Sequence, residues 1–496
     1  MTVTPDRLSY GFAKSRGIIF RGGEAPAFLI KRGGDRLALL EARRAVGRTW
    51  PVEDVDAPQF DRALSDIYAF SDAEAGSLGD QAEGESLSSI IDEIAPTADL
   101  LDSASDAPII RLINGLIAEA IRTAASDIHV EPYEDRVSVR YRIDGVLSER
   151  ASLAPALASP LVSRIKVMSR LDIAEKRVPQ DGRLSLTLGG KGVDVRVATL
   201  PSRFGERVVL RLLDKDQARF MLDQLGMGPA NLTAMKQALA QPNGIILVTG
   251  PTGAGKTTTL YAALNLLNDS SRNILTVEDP VEYALDGVGQ TQVNSKVGMT
   301  FAAGLRAILR QDPDVVMVGE VRDAETAGIA VQASLTGHLV LSTVHTNSAV
   351  AAVARLRDMG IESFLLASTL SAIVAQRLVR RLCGHCRESY TASAAERSAM
   401  GITANGPVVL YRSTGCPACK GLGYSGRVGL YEVVTADEGL RALIHDNASE
   451  KALSDHAFRN RKHLFQDGVS AALNGETSLP EVLRVCREEG ERHAGV

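Results

Sequence analysis

An α/β fold with several domains is the class that this sequence predicts, and two patterns support it. In the second half of the chain, short apolar runs alternate with helical segments: GIILVTG, NILTVEDP, DVVMVGE and HLVLSTVH. Strands buried on both faces of a parallel sheet have this composition. In the first half, apolar and polar residues alternate along the predicted strands, which is typical of a half-buried antiparallel sheet. The two patterns together predict an α/β core preceded by an α+β domain.

The composition is that of a soluble chain with several cores. At 496 residues, 45% apolar and 23% charged, the sequence predicts roughly two to four domains. The net charge of −5 gives no general attraction to nucleic acid, whose partners usually carry a basic footprint. No run approaches the roughly 18 apolar residues of a membrane span, and the opening MTVTPDRLSY lacks the apolar centre of a signal peptide. We therefore expect a cytosolic protein that reaches a membrane only through a partner.

The chain begins with a small mixed domain and an acidic segment. Residues 1–70 combine basic and apolar residues with the only tryptophan, Trp50, but they carry no readable chemistry. Residues 71–106 contain ten acidic residues and no Lys or Arg, with Gly, Ser and Ala between them. Such a segment repels itself and buries little apolar surface. We predict a mobile linker between two folded parts.

The α+β domain is predicted over residues 107–220. Apolar residues recur at helical spacing from Ile109 to Ile121, which indicates an amphipathic helix. The run VSVRYRIDGVLSER then alternates apolar and basic residues around an Asp-Gly pair, the turn signal of a β-hairpin. A second hairpin is predicted in RLSLTLGGKGVDVRVATL, and ERVVLRLLD adds a strand. The α/β core follows over residues 221–382.

A phosphate-binding loop joins the strand GIILVT to the next predicted helix. The stretch GPTGAGKTT fits the pattern GxxxxGK[ST] between a strand and a helix. Glycines let backbone N–H groups face phosphate oxygens at the helix N-terminus, Lys256 reaches the terminal phosphates, and the Thr257 hydroxyl ligates Mg²⁺. The predicted ATP-binding residues are Gly250, Pro251, Thr252, Gly253, Ala254, Gly255, Lys256 and Thr257.

Acidic residues follow two other core strands. Glu320 ends DVVMVGE. At that position it can hold Mg²⁺ together with Thr257, and it can also contact the attacking water. Further carboxylates stand in TVEDPVEY, namely Glu278, Asp279 and Glu282. Strand ends beside a phosphate loop face the nucleotide cleft, so we expect these acids to face that cleft. The alternative for Glu278 and Asp279 is that they are ordinary solvated or helix-capping acids. His338 and His345 bracket HLVLSTVH and are candidates for sensing the γ-phosphate, although a structural role is the alternative.

The cysteines form two CxxC pairs. CGHC and CPAC are separated by 29 residues, and two such pairs supply the four thiolates of a structural zinc site. The predicted ligands are Cys383, Cys386, Cys416 and Cys419, within a module over residues 383–425. His385 lies inside the first pair and is an alternative ligand. The fifth cysteine, Cys486, has no neighbouring cysteine in the sequence, and we expect it to lie in the core as part of a helix. A helical subdomain is predicted over residues 426–496.

Four motifs in order resemble one known family. GPTGAGKTT, TVEDPVEYALDGVGQTQVN, LRAILRQDPDVVMVGEVRD and LTGHLVLSTVHTN are similar to the Walker A, Asp box, Walker B and His box of the secretion ATPases. The resemblance implies a RecA-like P-loop core, hexamer formation and ATP hydrolysis. It makes Glu320 the Walker B acid and Glu282 the acid that activates water, and it places His338 and His345 near the nucleotide.

The domain before the core also resembles that family. ASDIHVEPYEDRVSVRYRIDGVL and RVPQDGRLSL are similar to its PAS-like α+β domain, which closes over the nucleotide and contributes arginines. The resemblance makes four residues candidates for phosphate or interdomain contacts: Arg196, Arg211, Arg306 and Arg310. Composition alone would make each of them a solvated charge.

The cysteine module and the opening residues separate branches of the family. The zinc insertion resembles that of type II secretion and pilus extension motors, and is generally absent from pilus retraction motors. RLSYGFAKSRGIIF resembles the opening of the type II secretion ATPases. That branch implies pseudopilus assembly and protein export, and peripheral attachment to the inner membrane. The implied partners are the cytoplasmic domain of a bitopic inner-membrane protein, GspL-like, and a GspF-like platform protein.

Three alternatives stay open on the sequence. A type IV pilus extension motor shares the chemistry and differs in its partners. A nucleic-acid translocase on the same core would show salt-dependent stimulation by DNA, but the chain is acidic and 4% aromatic, with no visible stacking platform. A nucleotide-binding scaffold without turnover would be insensitive to Glu320→Gln.

Overall fold

The computed structural model of the chain describes residues 8, 12, 13, 16–22, 26–68, 107–188, 191–213, 221–403 and 406–486. The chain divides into two compact units, Met1–Lys215 and Asp216–Val496. The predicted acidic linker lies outside the described residues. No helix within the described ranges is long and apolar enough to cross a membrane.

The first unit begins with a small sheet and two helices. The strands pair in the order β1-β2-β3, antiparallel and then parallel. Ile19 of β1 and Leu29 of β2 pack against Phe60 and Leu64 of the second helix, and most of the other apolar residues of these strands pack against the first helix. The elements are β1 Ile18–Arg21, β2 Ala27–Lys31, α1 Ala38–Val46, β3 Val52–Val55 and α2 Ala57–Tyr68.

The rest of the first unit is a six-stranded antiparallel sheet covered by helices. Its order is β6-β5-β4-β9-β8-β7. The elements are α3 Ala107–Arg122, β4 Ala125–Pro132, β5 Val137–Ile143, β6 Val146–Leu153, α4 Ala158–Met168, β7 Gln180–Leu188, β8 Lys191–Ser202 and β9 Gly205–Leu213. The predicted helix and the predicted Asp-Gly hairpin are confirmed, with Asp144 and Gly145 both at positive φ. The strand β4 was not predicted.

Alternation gives this sheet one apolar and one charged face. Ile128, Val130 and Leu210 pack against the helices in a single core. Their neighbours along the same strands, such as Asp127 and Arg211, lie on the opposite face because successive side chains of a strand alternate. The α+β architecture of this part follows the alternating sequence pattern.

The second unit is built on a seven-stranded sheet of order β12-β11-β13-β14-β10-β15-β18, parallel except for β18. Its strands are β10 Gly244–Thr249, β11 Ile274–Glu278, β12 Val288–Gln292, β13 Val315–Val318, β14 Leu339–Val344, β15 Leu370–Leu382 and β18 Tyr424–Thr435. Its helices in the core region are α5 Pro229–Leu239, α6 Lys256–Leu267, α7 Phe301–Ile308, α8 Ala324–Leu335, α9 Ala351–Asp358 and α10 Ser363–Thr369. Apolar clusters lie on both faces of the sheet, so the predicted parallel α/β core is confirmed.

The cysteine module is inserted between β15 and β18. It contains β16 Arg387–Thr391 and β17 Val409–Ser413, which pair antiparallel, and α11 Ala394–Ala399. The strand β18 crosses the boundary expected at residue 425 and returns to the main sheet beside β15. The described part of the chain ends in four helices, α12 Glu438–His445, α13 Glu450–Ala457, α14 Leu464–Leu473 and α15 Leu479–Cys486. Cys486 is buried in this last helix, as expected for a core cysteine.

Candidate nucleotide site and cysteine cluster

The glycine-rich loop follows β10 at the carboxyl end of the parallel strands. It leads directly into α6, whose first residue is Lys256. Gly253 and Gly255 have φ of 80° and 87°, a region that side chains disfavour. The Lys256 ammonium folds back over the loop, donating to the carbonyls of Gly250 at 2.8 Å and Pro251 at 3.1 Å. The loop can therefore present backbone N–H groups and one cation to a phosphate.

A pair of buried polar residues on β15 supports this loop, and neither stood out in the sequence. The strand β15 runs on past the end of β10, so Gln376 and Arg377 lie beneath the loop. The Gln376 amide donates to the Ala254 carbonyl at 2.7 Å and accepts from the Thr259 hydroxyl of α6 at 2.7 Å. A Cβ on Gly250 would lie 2.5 Å from the Gln376 carbonyl oxygen, so this position requires glycine.

Four charged or ionisable side chains meet beside the loop. Glu320, which follows β13, contacts Arg322 and lies 3.4 Å from Nε2 of His345. Burial lowers the pKa of Lys256, the charge of Glu320 opposes that shift, and Arg377 adds to it. The hydrogen bond to Glu320 raises the pKa of Arg322. The structure thus brings Lys256, Glu320 and His345 together, and it adds Arg322, which the sequence analysis did not select.

The acids after β11 take different directions. Asp279 adds to the raised pKa of Arg322 through its charge, which places it on the Glu320 side. Glu278 is only 3% exposed and accepts hydrogen bonds from Thr276 and Tyr261 in the interior. The expectation that Glu278 faces the cleft is wrong, because the hydroxyls of Thr276 on β11 and Tyr261 on α6 hold its carboxylate in the interior. Glu282 lies in a half-buried segment, and its backbone N–H donates to the Tyr261 hydroxyl at 3.3 Å.

The remaining candidates of this unit are His338, Arg306 and Arg310. His338 precedes β14 at its amino end, paired with the amino end of β10, and its ring lies 2.8 Å from the Ala333 carbonyl oxygen. The phosphate loop lies at the opposite end of the same strands, so the structure does not bring His338 close to the phosphate loop of its own chain. Arg306 forms an exposed ion pair with Glu325, and Arg310 is exposed just beyond α7.

Two predicted arginines lie in the first unit, on the charged face of its sheet. The register aligns Arg183, Arg196, Arg211, Asp127 and Arg142 in one row across adjacent strands. Burial opposes ionisation of Asp127, but hydrogen bonds from Arg211 and Ser126 hold its pKa below the usual value. Arg211 is 57% exposed despite that pairing. The row therefore presents an excess of positive charge that a polyphosphate could contact.

The four cysteines of the insertion converge on one point. The Sγ atoms of Cys383 and Cys416 are 3.9 Å apart, and Cys419 lies 3.7 Å from both Cys386 and Cys416. Sulfurs bound at about 2.3 Å around a tetrahedral zinc are about 3.8 Å apart, whereas a disulfide requires about 2.05 Å. The backbone N–H groups of Cys416 and Gly423 donate to the Cys419 sulfur, as suits a thiolate. The donors therefore fit zinc, and exposed His385 is outside the cluster.

Two family models match the chain. The model described as type II/IV secretion system protein matches residues 102–484. A second model, which describes an amino-terminal domain of GSPII protein E, matches residues 7–68. The first match spans the α+β domain, the candidate nucleotide site and the cysteine module. The second match coincides with the small amino-terminal domain, for which the sequence indicated no chemistry.

Related proteins and solved structures agree with these matches. Type II secretion system protein E of Pseudomonas aeruginosa is 54% identical over 487 residues, covering 98% of this chain and 97% of that protein. Type II secretion system ATPase E of Vibrio cholerae is 53% identical, covering 91% and 90%. The crystal structure of the pilus retraction motor PilT with ADP has a TM-score of 0.53 at 27% identity, covering 76% and 97%. The Legionella pneumophila ATPase DotB shares the fold, with a TM-score of 0.57 at 21% identity, covering 76% and 95%. The chain thus belongs to the type II/IV secretion system protein family and, within it, to the ATP-hydrolysing type II secretion ATPases.

Proposed function

We propose that this secretion ATPase works as a homo-hexameric, cytoplasmic motor whose ATP hydrolysis drives pseudopilus assembly and so protein export. The observation that carries the proposal is the meeting of Lys256, Glu320 and His345 at the carboxyl end of the parallel strands. A triphosphate held by the glycine-rich loop would place its terminal phosphate among these groups. The 54% identity to a protein named for type II secretion supports the coupling to export.

Each of the site residues has a different role in the hydrolytic step. Lys256 neutralises charge on the terminal phosphates, and Glu282 accepts the proton of the attacking water. Arginines contribute positive charge to the transition state, for which Arg196 and Arg211 are the candidates from the first unit. His345, within reach of Glu320, is placed to respond to the presence of the γ-phosphate.

Magnesium fits the donors beside the loop. The Thr257 hydroxyl is exposed in the first turn of α6, and Glu320 offers a carboxylate whose side chain is 14% exposed. Hydroxyl and carboxylate oxygens are the ligands that this ion prefers. Magnesium held by these two residues would offset the negative charge of the phosphates.

The cysteine cluster has a structural role in this proposal. Zinc held by Cys383, Cys386, Cys416 and Cys419 would have four protein ligands and no position for a substrate. It would close the insertion between β15 and β18.

Regions outside the nucleotide site would bind the partner proteins. The small domain at residues 7–68, which the second family model matches, would bind the cytoplasmic domain of a bitopic, GspL-like membrane protein, and the motor would act on a GspF-like platform. That arrangement gives the chain peripheral attachment to the inner membrane through partners. No nucleic-acid partner is proposed.

The rate of ATP hydrolysis against protein concentration tests the proposal. We expect the rate per chain to rise steeply as hexamers form, and the GspL-like cytoplasmic domain to raise it further at low protein concentration. Light scattering on the same samples reports the mass of the assembly. A rate per chain that is constant over a hundredfold range of concentration, with a monomeric mass throughout, would contradict an assembly-dependent motor.

A further inference from the structure

The segment that carries Glu282 is held by a buried polar network that the proposed hydrolytic step does not use. The network consists of Tyr261 on α6, Glu278 at the end of β11 and Gln290 on β12, and we name it the Tyr261 network. Tyr261 and Glu278 are 1% and 3% exposed. A buried carboxylate is costly unless its hydrogen bonds are satisfied, so its presence here requires a reason.

Glu278 is the acceptor at the centre of the network. It accepts from the Tyr261 hydroxyl, from the Thr276 hydroxyl at 2.6 Å and from the Gln290 amide at 3.1 Å. These three donors are neutral, and together they satisfy a group that could otherwise not be buried. The carboxylate therefore fixes the positions of Tyr261 and Gln290 without reaching the cleft.

Tyr261 and Gln290 in turn hold the backbone after Glu278. The Tyr261 hydroxyl accepts from the backbone N–H of Glu282 at 3.3 Å. The Gln290 amide donates to the Tyr283 carbonyl at 3.2 Å and accepts from the Leu285 N–H at 2.8 Å. Three backbone groups of a four-residue segment are thus bonded to two side chains, the buried Tyr261 and the half-buried Gln290. The edge-to-face contact of the Tyr261 and Tyr283 rings, 4.5 Å between centroids, adds to the same anchorage.

The network also connects this segment to the phosphate loop. Tyr261 lies in α6, which starts at Lys256, so the helix that ends the phosphate loop also fixes the backbone of Glu282. A general base must lie within hydrogen-bond reach of the proton it accepts, and a misplacement of about 1 Å can lower a rate about a hundredfold.

We infer that Tyr261, Glu278 and Gln290 are positioning residues that hold the Glu282 carboxylate in register with the phosphates bound at Lys256. The inference rests on the proposed function, in which Glu282 activates water. It explains why the Glu278 carboxylate is kept in the interior beside the site.

The test compares full-length Tyr261→Phe with wild type. Phenylalanine keeps the ring and removes the hydroxyl that joins Glu278 to the Glu282 backbone. We expect kcat to fall about tenfold, with KM for ATP and the affinity for ADP within twofold of wild type. Gln290→Leu should have the same effect, because it releases Tyr283 and Leu285. Tyr141→Phe is the matched control: it also removes a buried hydroxyl, which donates to the Leu116 carbonyl, and kcat should not change.

A double-mutant cycle separates positioning from general loss of structure. We expect the combination of Tyr261→Phe with Glu282→Asp to cost less than the product of the separate losses, because both act through one carboxylate. Independent, multiplying losses would overturn the inference, as would a Tyr261→Phe variant with wild-type kcat. A Glu282→Gln variant with full activity would instead contradict the proposed role of Glu282, so the two failures can be told apart.

Discussion

At the scale of single residues, Glu320 is the centre of the candidate nucleotide site. Its carboxylate contacts Arg322 and lies close to His345, and its charge reaches Lys256. Two of these three neighbours are cationic side chains and the third is a titratable ring. These neighbours hold the Glu320 carboxylate in one position, which suits an acid that organises metal and water.

Glu320→Gln should abolish turnover but not binding. We expect ATP hydrolysis to fall at least about a hundredfold, equivalent to about 2.7 kcal/mol of transition-state stabilisation, while a fluorescent ATP analogue still binds. Glu388→Gln is the control, since Glu388 forms an exposed ion pair with Arg412 in the cysteine module. Hydrolysis by Glu320→Gln at the native rate would mean that another residue has this role.

At the scale of secondary-structure elements, the length of β15 decides what lies beneath the phosphate loop. This strand pairs with β10 and continues for seven residues beyond Ala375. The extension carries Gln376 and Arg377 under the loop and then leads into Cys383. One strand therefore supports the nucleotide loop at one point and begins the cysteine insertion at another.

The cysteine insertion should depend on its metal. We expect Cys416→Ser to lose stoichiometric zinc and solubility, because the insertion has a small core and the metal closes it. Cys486→Ser is the matched control: this cysteine is buried in α15, and zinc content should stay at one ion per chain. Metal analysis of the purified variants is the measurement. Unchanged zinc in Cys416→Ser would remove the assignment.

At the scale of the whole molecule, the charges of the proposed reaction are divided between the two units. Lys256 and Glu320 lie in the second unit, whereas the arginine row with Arg196 and Arg211 lies in the first. A motor assembled from several such chains, as proposed, requires that its subunits depend on one another.

A mixing experiment tests this coupling in the assembly. We expect hexamers formed from equal amounts of wild-type and Glu320→Gln chains to hydrolyse ATP at well below half of the wild-type rate, because an inert subunit halts its neighbours. Dilution of wild type with an unrelated protein at the same total concentration is the control. A rate that falls in direct proportion to the wild-type fraction would show that subunits act independently.

Local patterns in the sequence determined much of this molecule. The glycine loop, the parallel strands, the Asp-Gly hairpin and the cysteine pairs each depend on residues close together in the chain. For this reason Lys256, Glu320 and the four cysteines could be selected, although the roles of Lys256 and Glu320 stay predictions. The choice of family rested on the order of several such motifs.

Only the tertiary structure decided which side chains meet. Gln376 supports a loop more than a hundred positions earlier, and no spacing rule connects the two. Glu278 and Glu282 stand four residues apart, yet one is turned into the core and the other lies in the segment that this core holds. His345, just beyond β14, meets Glu320, which follows β13. Each of these outcomes depends on sheet order, register and strand length, which are set by long-range packing that local sequence does not encode.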